Sequence, residues 1–388
     1  MNTVSNKIDS SGRALRRWTV VTAAVLGVAT VLLARLGNPP NMGICSACFI
    51  RDTAGGLGLF SGPPGLQYLR PEIPGFLLGS FIAAAIFREL TSRGGSAPVL
   101  RFLIGAVVML GALVFLGCPI RLMERLGSGD VVTAGVGLLG LIAGTAVGSF
   151  CISRGFSLGP SPTPTQKPLN ALAFPLSAVA LAAIVVVLAL DPGSDTKGIL
   201  KTIWQAPVFI ALGIGVVLGF LAQRSRFCTA GGFRDALLWR DFRLLKGYLI
   251  FVVIIVAGNL VVDLACPASR LFFDVGAAPL AHAEHLWNFL GLLLVGFGAV
   301  LLGGCPFRQL IAAGQGHADA AVALLGLLAG AALCHNFDLA AKPATAETAG
   351  GPSPAGMVAV LVGLVLLTVI GLISSDRTKR SIAMQRES

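Results

Sequence analysis

Four cysteines recur in two matched pairs. Cys45 stands six residues before Arg51 and Asp52, and Cys228 stands six before Arg234 and Asp235, an offset of 183 residues from 45 to 228. The run Gly117-Cys118-Pro119-Ile120-Arg121 returns as Gly304-Cys305-Pro306-Phe307-Arg308, at an offset of 187 from 118 to 305. A thiol is a weak donor and a weak, polarizable acceptor, which suits contact with a soft sulfur or selenium atom. Proline has a fixed φ and no N–H, so it fits the first turn of a helix, and the Gly-Cys-Pro run predicts Cys118 and Cys305 at helix N-termini. Exposed amides and the positive dipole end there favour an anion, and an arginine one turn on reinforces them. A thiolate would repel such an anion, so the reading requires neutral thiols acting as S–H donors or thiolates formed only transiently.

Arg51, Arg121, Arg234 and Arg308 supply four permanent positive charges in apolar sequence. Asp52 and Asp235, each adjacent to an arginine, read as structural salt bridges that hold re-entrant loops. Arg121 and Arg308 have no adjacent acid, which leaves anion attraction and snorkelling to a headgroup as alternatives. Cys151, Cys266 and Cys334 lack a repeated setting and read as small buried hydrophobes. Cys45-Ser46-Ala47-Cys48 is a C-x-x-C, the spacing of a redox pair or half a metal site, but it occurs once, with Gly231 at the place of Cys48 in the second half. His282, Glu284 and His285 are metal-ligand types in a predicted loop with no matching cysteine, so neither a metal nor a cofactor is expected. The chain has no P-loop signature, no Ser-His-Asp order and no paired carboxylates, which argues against an enzyme or an ATPase on this chain.

The elements that must position these residues are membrane helices. The chain is 55% hydrophobic and 12% charged, with mean hydropathy +0.83, values that exclude a soluble domain. Apolar stretches near 18–36, 73–90, 99–117, 131–150, 172–190, 205–222, 247–264, 286–304, 319–334 and 356–374 predict ten spans, each near the roughly 20 residues that cross a bilayer core of about 30 Å. The matching pairs Gly140/Gly144 and Gly326/Gly330 predict close helix packing. Between the cysteine motifs, Phe102, Leu103, Gly111 and Ala112 match Phe289, Leu290, Gly298 and Ala299. Two homologous halves follow.

The expected organisation is an N-terminal cytoplasmic tail over 1–17, a first repeat over 18–155, a linker with an extra span over 156–199, a second repeat over 200–340, and a final span and cytoplasmic tail over 341–388. The first apolar run lacks a cleavage site and reads as a retained span. The net charge of +11 carries a topology signal, with 20 of the 29 Lys and Arg on the side of the N-terminus or its flanks and 9 on the other, so both termini are expected in the cytoplasm. The odd span near 172–190 inverts the second half relative to the first, an arrangement that puts a transport site at the repeat interface. Gly- and Pro-rich breaks beside the cysteines predict re-entrant half-helices entering from both faces. No basic domain with interleaved aromatics points to nucleic acid.

On these motifs the chain resembles the YeeE/YedE family of sulfur-transport membrane proteins. The segments Asn41-Met-Gly-Ile-Cys-Ser-Ala-Cys-Phe-Ile-Arg-Asp, Arg70-Pro-Glu-Ile-Pro-Gly, Arg93-Gly-Gly-Ser-Ala-Pro and Leu116-Gly-Cys-Pro-Ile-Arg resemble its YedE branch, which is associated with selenium metabolism. The resemblance implies an all-α, hourglass-like, pseudo-symmetric fold in a bacterial inner membrane. It implies import of a small selenium- or sulfur-containing anion, such as a thiosulfate-like species, along Cys45 or Cys48, Cys118, Cys228 and Cys305. It leaves room for a soluble sulfur-carrier or selenium-metabolism partner on the cytoplasmic side. The alternatives from spacing alone are a membrane thiol-disulfide protein using Cys45 and Cys48, or a soft-metal transporter.

Overall fold

The computed structural model describes residues 2–90, 95–159, 205–265 and 278–387, with isolated positions 179 and 183. The described residues are helical, apart from loops, a short 3-10 turn at Pro64–Leu66 and an isolated bridge between Lys342 and Gly351. In chain order the helices are α1 (Asn2–Arg35), α2 (Ser46–Gly56), α3 (Glu72–Ile86), α4 (Pro98–Val114), α5 (Pro119–Gly127), α6 (Val131–Ser153), α7 (Val208–Ser225), α8 (Thr229–Trp239), α9 (Arg243–Ala265), α10 (His285–Leu302), α11 (Pro306–Gly314), α12 (Ala318–Asn336) and α13 (Pro354–Glu387).

Among the described residues, 8 segments are long and apolar enough to cross a bilayer, and α3 is a shorter apolar helix of 15 residues. Apolar side chains such as Leu249, Val253, Val261 and Leu264 of α9 are exposed on helix faces, where a soluble protein would carry charge. The protein is an all-α integral membrane protein. The extra span expected near 172–190 and Cys266 fall outside the described residues, save for the two isolated positions. α1 runs without a break from Asn2 into the first span, which begins at Ala14.

Four helices are too short to span. α2 and α8 have 11 residues each, and α5 and α11 have 9 each, about 14 to 17 Å at the α-helical rise. Each begins immediately after one of the four repeated cysteines. The long helices that frame them pack mainly across the two halves of the sequence: α3 on α7, α6 on α10, α4 on α12 and α1 on α9. Gly140 and Gly144 of α6 lie on the backbone of Phe289 and Leu293, and Gly326 and Gly330 of α12 lie on that of Phe102 and Ala106. A side chain at any of these glycines would strike backbone, which explains the small-residue pairs.

The α4 and α10 pair is antiparallel and matched about its centre. Gly111 of α4 packs on Gly291, while Gly298, which corresponds to Gly111 in the sequence repeat, packs on Val108 and Ile104 of α4. Both helices end in the same way. The amide of Gly117 donates to Ala112 O at 2.7 Å and that of Gly304 to Ala299 O at 2.8 Å, with Leu116 and Gly303 left-handed at φ 61° and 82°. This closure satisfies the last carbonyls and turns the chain sharply into the cysteine.

Candidate functional site

All four repeated cysteines are helix N-caps with extended ψ, at 104° for Cys45, 172° for Cys118, 123° for Cys228 and 168° for Cys305. The motif predicts this for Cys118 and Cys305 through proline. For Cys45 and Cys228 the thiol does the capping. Cys45 Sγ accepts from the amide of Cys48 at 3.3 Å and Cys228 Sγ from that of Gly231 at 3.3 Å.

Each of those sulfurs accepts a second amide from the partner half-helix. Cys118 N donates to Cys45 Sγ at 3.5 Å, and Cys305 N donates to Cys228 Sγ at 3.3 Å. The structure therefore brings the candidate cysteines together as two clusters, Cys45, Cys48 and Cys118 in one and Cys228 with Cys305 in the other. In each, two helix N-termini converge on one sulfur, concentrating positive partial charge at a buried point. All five residues are buried, from 0% to 5% exposed. In the first cluster Cys45 Sγ lies 2.8 Å from Cys48 Sγ and 3.6 Å from Cys118 Sγ.

The arginines divide into two kinds. Arg51 donates to Asp52 at 2.6 Å and 2.8 Å, and Asp52 also receives the buried Arg70 at 2.8 Å. Arg234 pairs with Asp235 at 2.8 Å in a more open setting. Arg121 and Arg308 pair with no carboxylate among the described residues. Arg121 donates to the carbonyls of Asn41 at 2.8 Å, Leu280 at 3.1 Å and Leu116, and its Nη1 lies 3.8 Å from Cys48 Sγ. Arg308 Nη1 donates to Gln223 Oε1 at 3.3 Å. Both arginine stems fold over the glycine of their own motif: a Cβ on Gly117 would come within 2.8 Å of Arg121 Cδ, and one on Gly304 within 2.7 Å of Arg308 Cγ. Glycine is needed at that place because the arginine occupies it.

A cavity of about 980 Å³ opens beside the first cluster, with Arg51, Arg121, His335 and Lys342 on its wall. Cys334 also lines it, a position that sequence reading assigns to packing. Lys342 is offset by Asp338 at 3.0 Å and Arg51 by Asp52, which leaves Arg121 as the lining cation without a carboxylate partner among the described residues, on a mostly apolar wall.

A family model described as sulphur transport matches residues 224–388, the segment that carries Cys228, Arg234, Cys305 and Arg308. The matched segment is less than half of the chain, and it is this part that is similar to the sulphur-transport family. A curated relative, the thiosulfate transporter TsuA of Escherichia coli (strain K12), is 34% identical over 110 residues, which is 28% of this chain and 29% of that protein. The chain thus matches less than a third of the relative's own length.

Several residues that the repeat does not reveal also shape the first cluster. Glu124 accepts the amides of Gly43 at 2.6 Å and Ile44 at 3.5 Å, fixing the turn into Cys45. Arg125 binds Asp130 at 2.7 Å and Thr133 at 2.7 Å, and lies over Phe115 at 4.4 Å. Asn38 bridges Arg70, Glu72 and Gly43. These positions have no counterpart in the second half, where Ile311 and Ala312 stand 187 residues after Glu124 and Arg125. The available signal is an ionisable residue in an otherwise apolar span. The described residues include no group of three His, Cys, Asp or Glu side chains arranged to hold a metal. His282 uses Nε2 to donate to Val114 O at 2.7 Å.

Proposed function

We propose that the chain is a transporter that carries a small sulfur-containing anion of the thiosulfate class across the bacterial inner membrane, through the two cysteine clusters in turn. One observation carries the reading: in each half a cysteine sulfur rests on the amides of two converging helix N-termini, with an arginine of the same motif beside it. Helix termini attract an anion without fixing it as tightly as a buried ammonium would, so the cargo can leave as well as enter. Neutral thiols add soft, weak contacts to a sulfur atom. Arg121, on the wall of the cavity beside the first cluster, attracts the anion there, and Arg308 with Gln223 takes the charge at the second. The name of the Escherichia coli relative supports the cargo class, and the resemblance to the YedE branch extends it to selenium-containing anions.

The repeats over 18–155 and 200–340 form an inverted pair in this reading, joined by the linker over 156–199 and followed by the final span and tail over 341–388. The antiparallel packing of α4 on its sequence counterpart α10 supports the inversion. With both termini cytoplasmic, the first cluster faces outward and the second inward, and the reading takes the direction as import. A soluble sulfur-carrier or selenium-metabolism protein then receives the cargo inside.

The test is uptake of labelled thiosulfate, and separately of selenium, by cells carrying wild-type protein, Cys118→Ala or Cys305→Ala at equal membrane abundance. Uptake of at least one cargo falls at both variants if the reading holds, and undiminished uptake of both sinks it. The 2.8 Å contact of Cys45 with Cys48 favours one second reading, a thiol-disulfide protein. That reading predicts a reducible disulfide and loss of function in Cys48→Ser, with Cys305→Ala tolerated.

A further inference from the structure

Three buried hydroxyls at the clusters have no oxygen or nitrogen partner in the protein. Ser46 and Thr229 directly follow the capping cysteines Cys45 and Cys228 and occupy equivalent places in the two halves, at the same offset of 183. They are 0% and 1% exposed, and the only groups within reach of Ser46 Oγ and Thr229 Oγ1 are the thiols of Cys118 and Cys305, which are weak acceptors. Ser46 adjoins Cys118 and Thr229 adjoins Cys305, so each hydroxyl stands beside the second cysteine of its cluster. The third is Tyr248 of α9, whose Oη is likewise buried and unpartnered. Phe227 packs edge-on against its ring at 5.1 Å and Phe233 stacks at 6.3 Å. A Cβ on Gly232 would come within 2.7 Å of its Cε2, so the first turn of α8 leaves room for the ring. Tyr248 lies within electrostatic reach of Cys228 and Cys305, and of Cys118 in the other cluster.

Buried hydroxyls normally find an acceptor. Thr19, Thr22, Thr30, Thr145 and Ser225 here each bond the carbonyl four residues back, the usual solution inside a helix. Ser46 and Thr229 stand at the first helical position, so the residue four back lies outside their helix. A hydroxyl with only a weak thiol contact at the same place in both halves, beside converging amides, is left able to donate to a ligand.

We propose that Ser46, Thr229 and Tyr248 are the donors that recognise the oxygen end of the cargo, while the thiols meet its soft end. The proposal rests on the transport reading and deepens it. It assigns the path a preference for anions in which an oxyanion group is joined to a soft atom, over soft anions without oxygen and over oxyanions without a soft atom.

Ser46→Ala, Thr229→Val and Tyr248→Phe each remove a hydroxyl and keep the shape. Ser46→Thr and Thr229→Ser keep the hydroxyl. The experiment is labelled-thiosulfate uptake at several concentrations, with hydrosulfide and sulfate as competitors and protein abundance measured in the membrane. Each hydroxyl deletion should raise the thiosulfate KM about tenfold, the scale of one hydrogen bond to a charged group, and leave inhibition by hydrosulfide within about twofold. The hydroxyl-keeping variants should behave as wild type. A thiosulfate KM unchanged in all three deletions, or thiosulfate and hydrosulfide weakened by one factor, overturns the proposal. Wild-type protein that takes up no thiosulfate overturns the transport reading instead.

Discussion

The two cysteine clusters share one geometry and differ in their surroundings. In both, a capping sulfur accepts two amides, a proline opens the partner helix, and a glycine makes room for the arginine stem. Around the first cluster, Asp52 binds two arginines, Glu124 pins the approach to Cys45, and a third thiol at Cys48 fills the space beside Cys45. At the second, Gly231 stands in place of Cys48, and the Arg234–Asp235 pair is partly open, with side chains 23% and 14% exposed. The shared part is what the proposed transport of an anion carrying a soft atom would use. The differing part fixes and seals each half, and it accounts for the ion pairs that occur only once.

The largest effect that separates the halves concerns their carboxylates. Asp52→Asn removes the one carboxylate that both buried arginines, Arg51 and Arg70, bind directly, and should lower the stability of the purified protein by about 3–5 kcal/mol. Asp235→Asn breaks a more exposed pair and should cost about 0–1 kcal/mol. Thermal unfolding in detergent checks both, and equal losses would erase the distinction drawn between sealed and open halves.

An exchange of the unmatched position sharpens the comparison at the thiols. Cys48→Gly makes the first cluster resemble the second and keeps both amides on Cys45, so thiosulfate uptake should stay within about threefold of wild type, under 1 kcal/mol. Gly231→Cys should be worse, about tenfold, because a Cβ there would sit 3.1 Å from Cys228 Cβ and 3.2 Å from its Sγ. Initial uptake rates at equal abundance decide it, and a Cys48→Gly variant as damaged as Cys118→Ala would place Cys48 on the path.

The smallest effect lies in the loop before α10. Burial, together with neighbouring Arg125, holds His282 below the ordinary imidazole range, against the opposing pull of its bond to Val114 O and of Glu284. A histidine lowered in the folded state contributes stability above its unfolded pKa of about 6.5 and loses it as pH falls through the folded value. Unfolding temperatures measured from pH 7 down to pH 5 should decline, and His282→Gln should flatten the decline. An unaltered slope would remove His282 from the account.

Much of the site was legible because it is written twice. The four cysteines, the four arginines and the Gly-Cys-Pro turns stand out by their offsets, and long apolar runs announce the helices. The capping role of Cys45 and Cys228 was not legible, because a thiol is not among the usual N-cap side chains and no proline marks those starts. Glu124, Arg70 and Asn38 escaped because they have no repeated partner, and their pairing across loops depends on tertiary packing. Ser46 and Thr229 were printed in the sequence at matching places. Only their burial beside the second cysteine of each cluster, without an oxygen or nitrogen partner, distinguishes them from ordinary first-turn residues.

The central claim is that both clusters are stations on one path for one anion. Its most direct measurement is mass-spectrometric quantification of alkylation at Cys118 and Cys305 in native membranes, with thiosulfate added over a concentration series. The account predicts that labelling of both cysteines falls together, with the same half-maximal thiosulfate concentration. Protection of Cys118 with Cys305 labelled as before would contradict it.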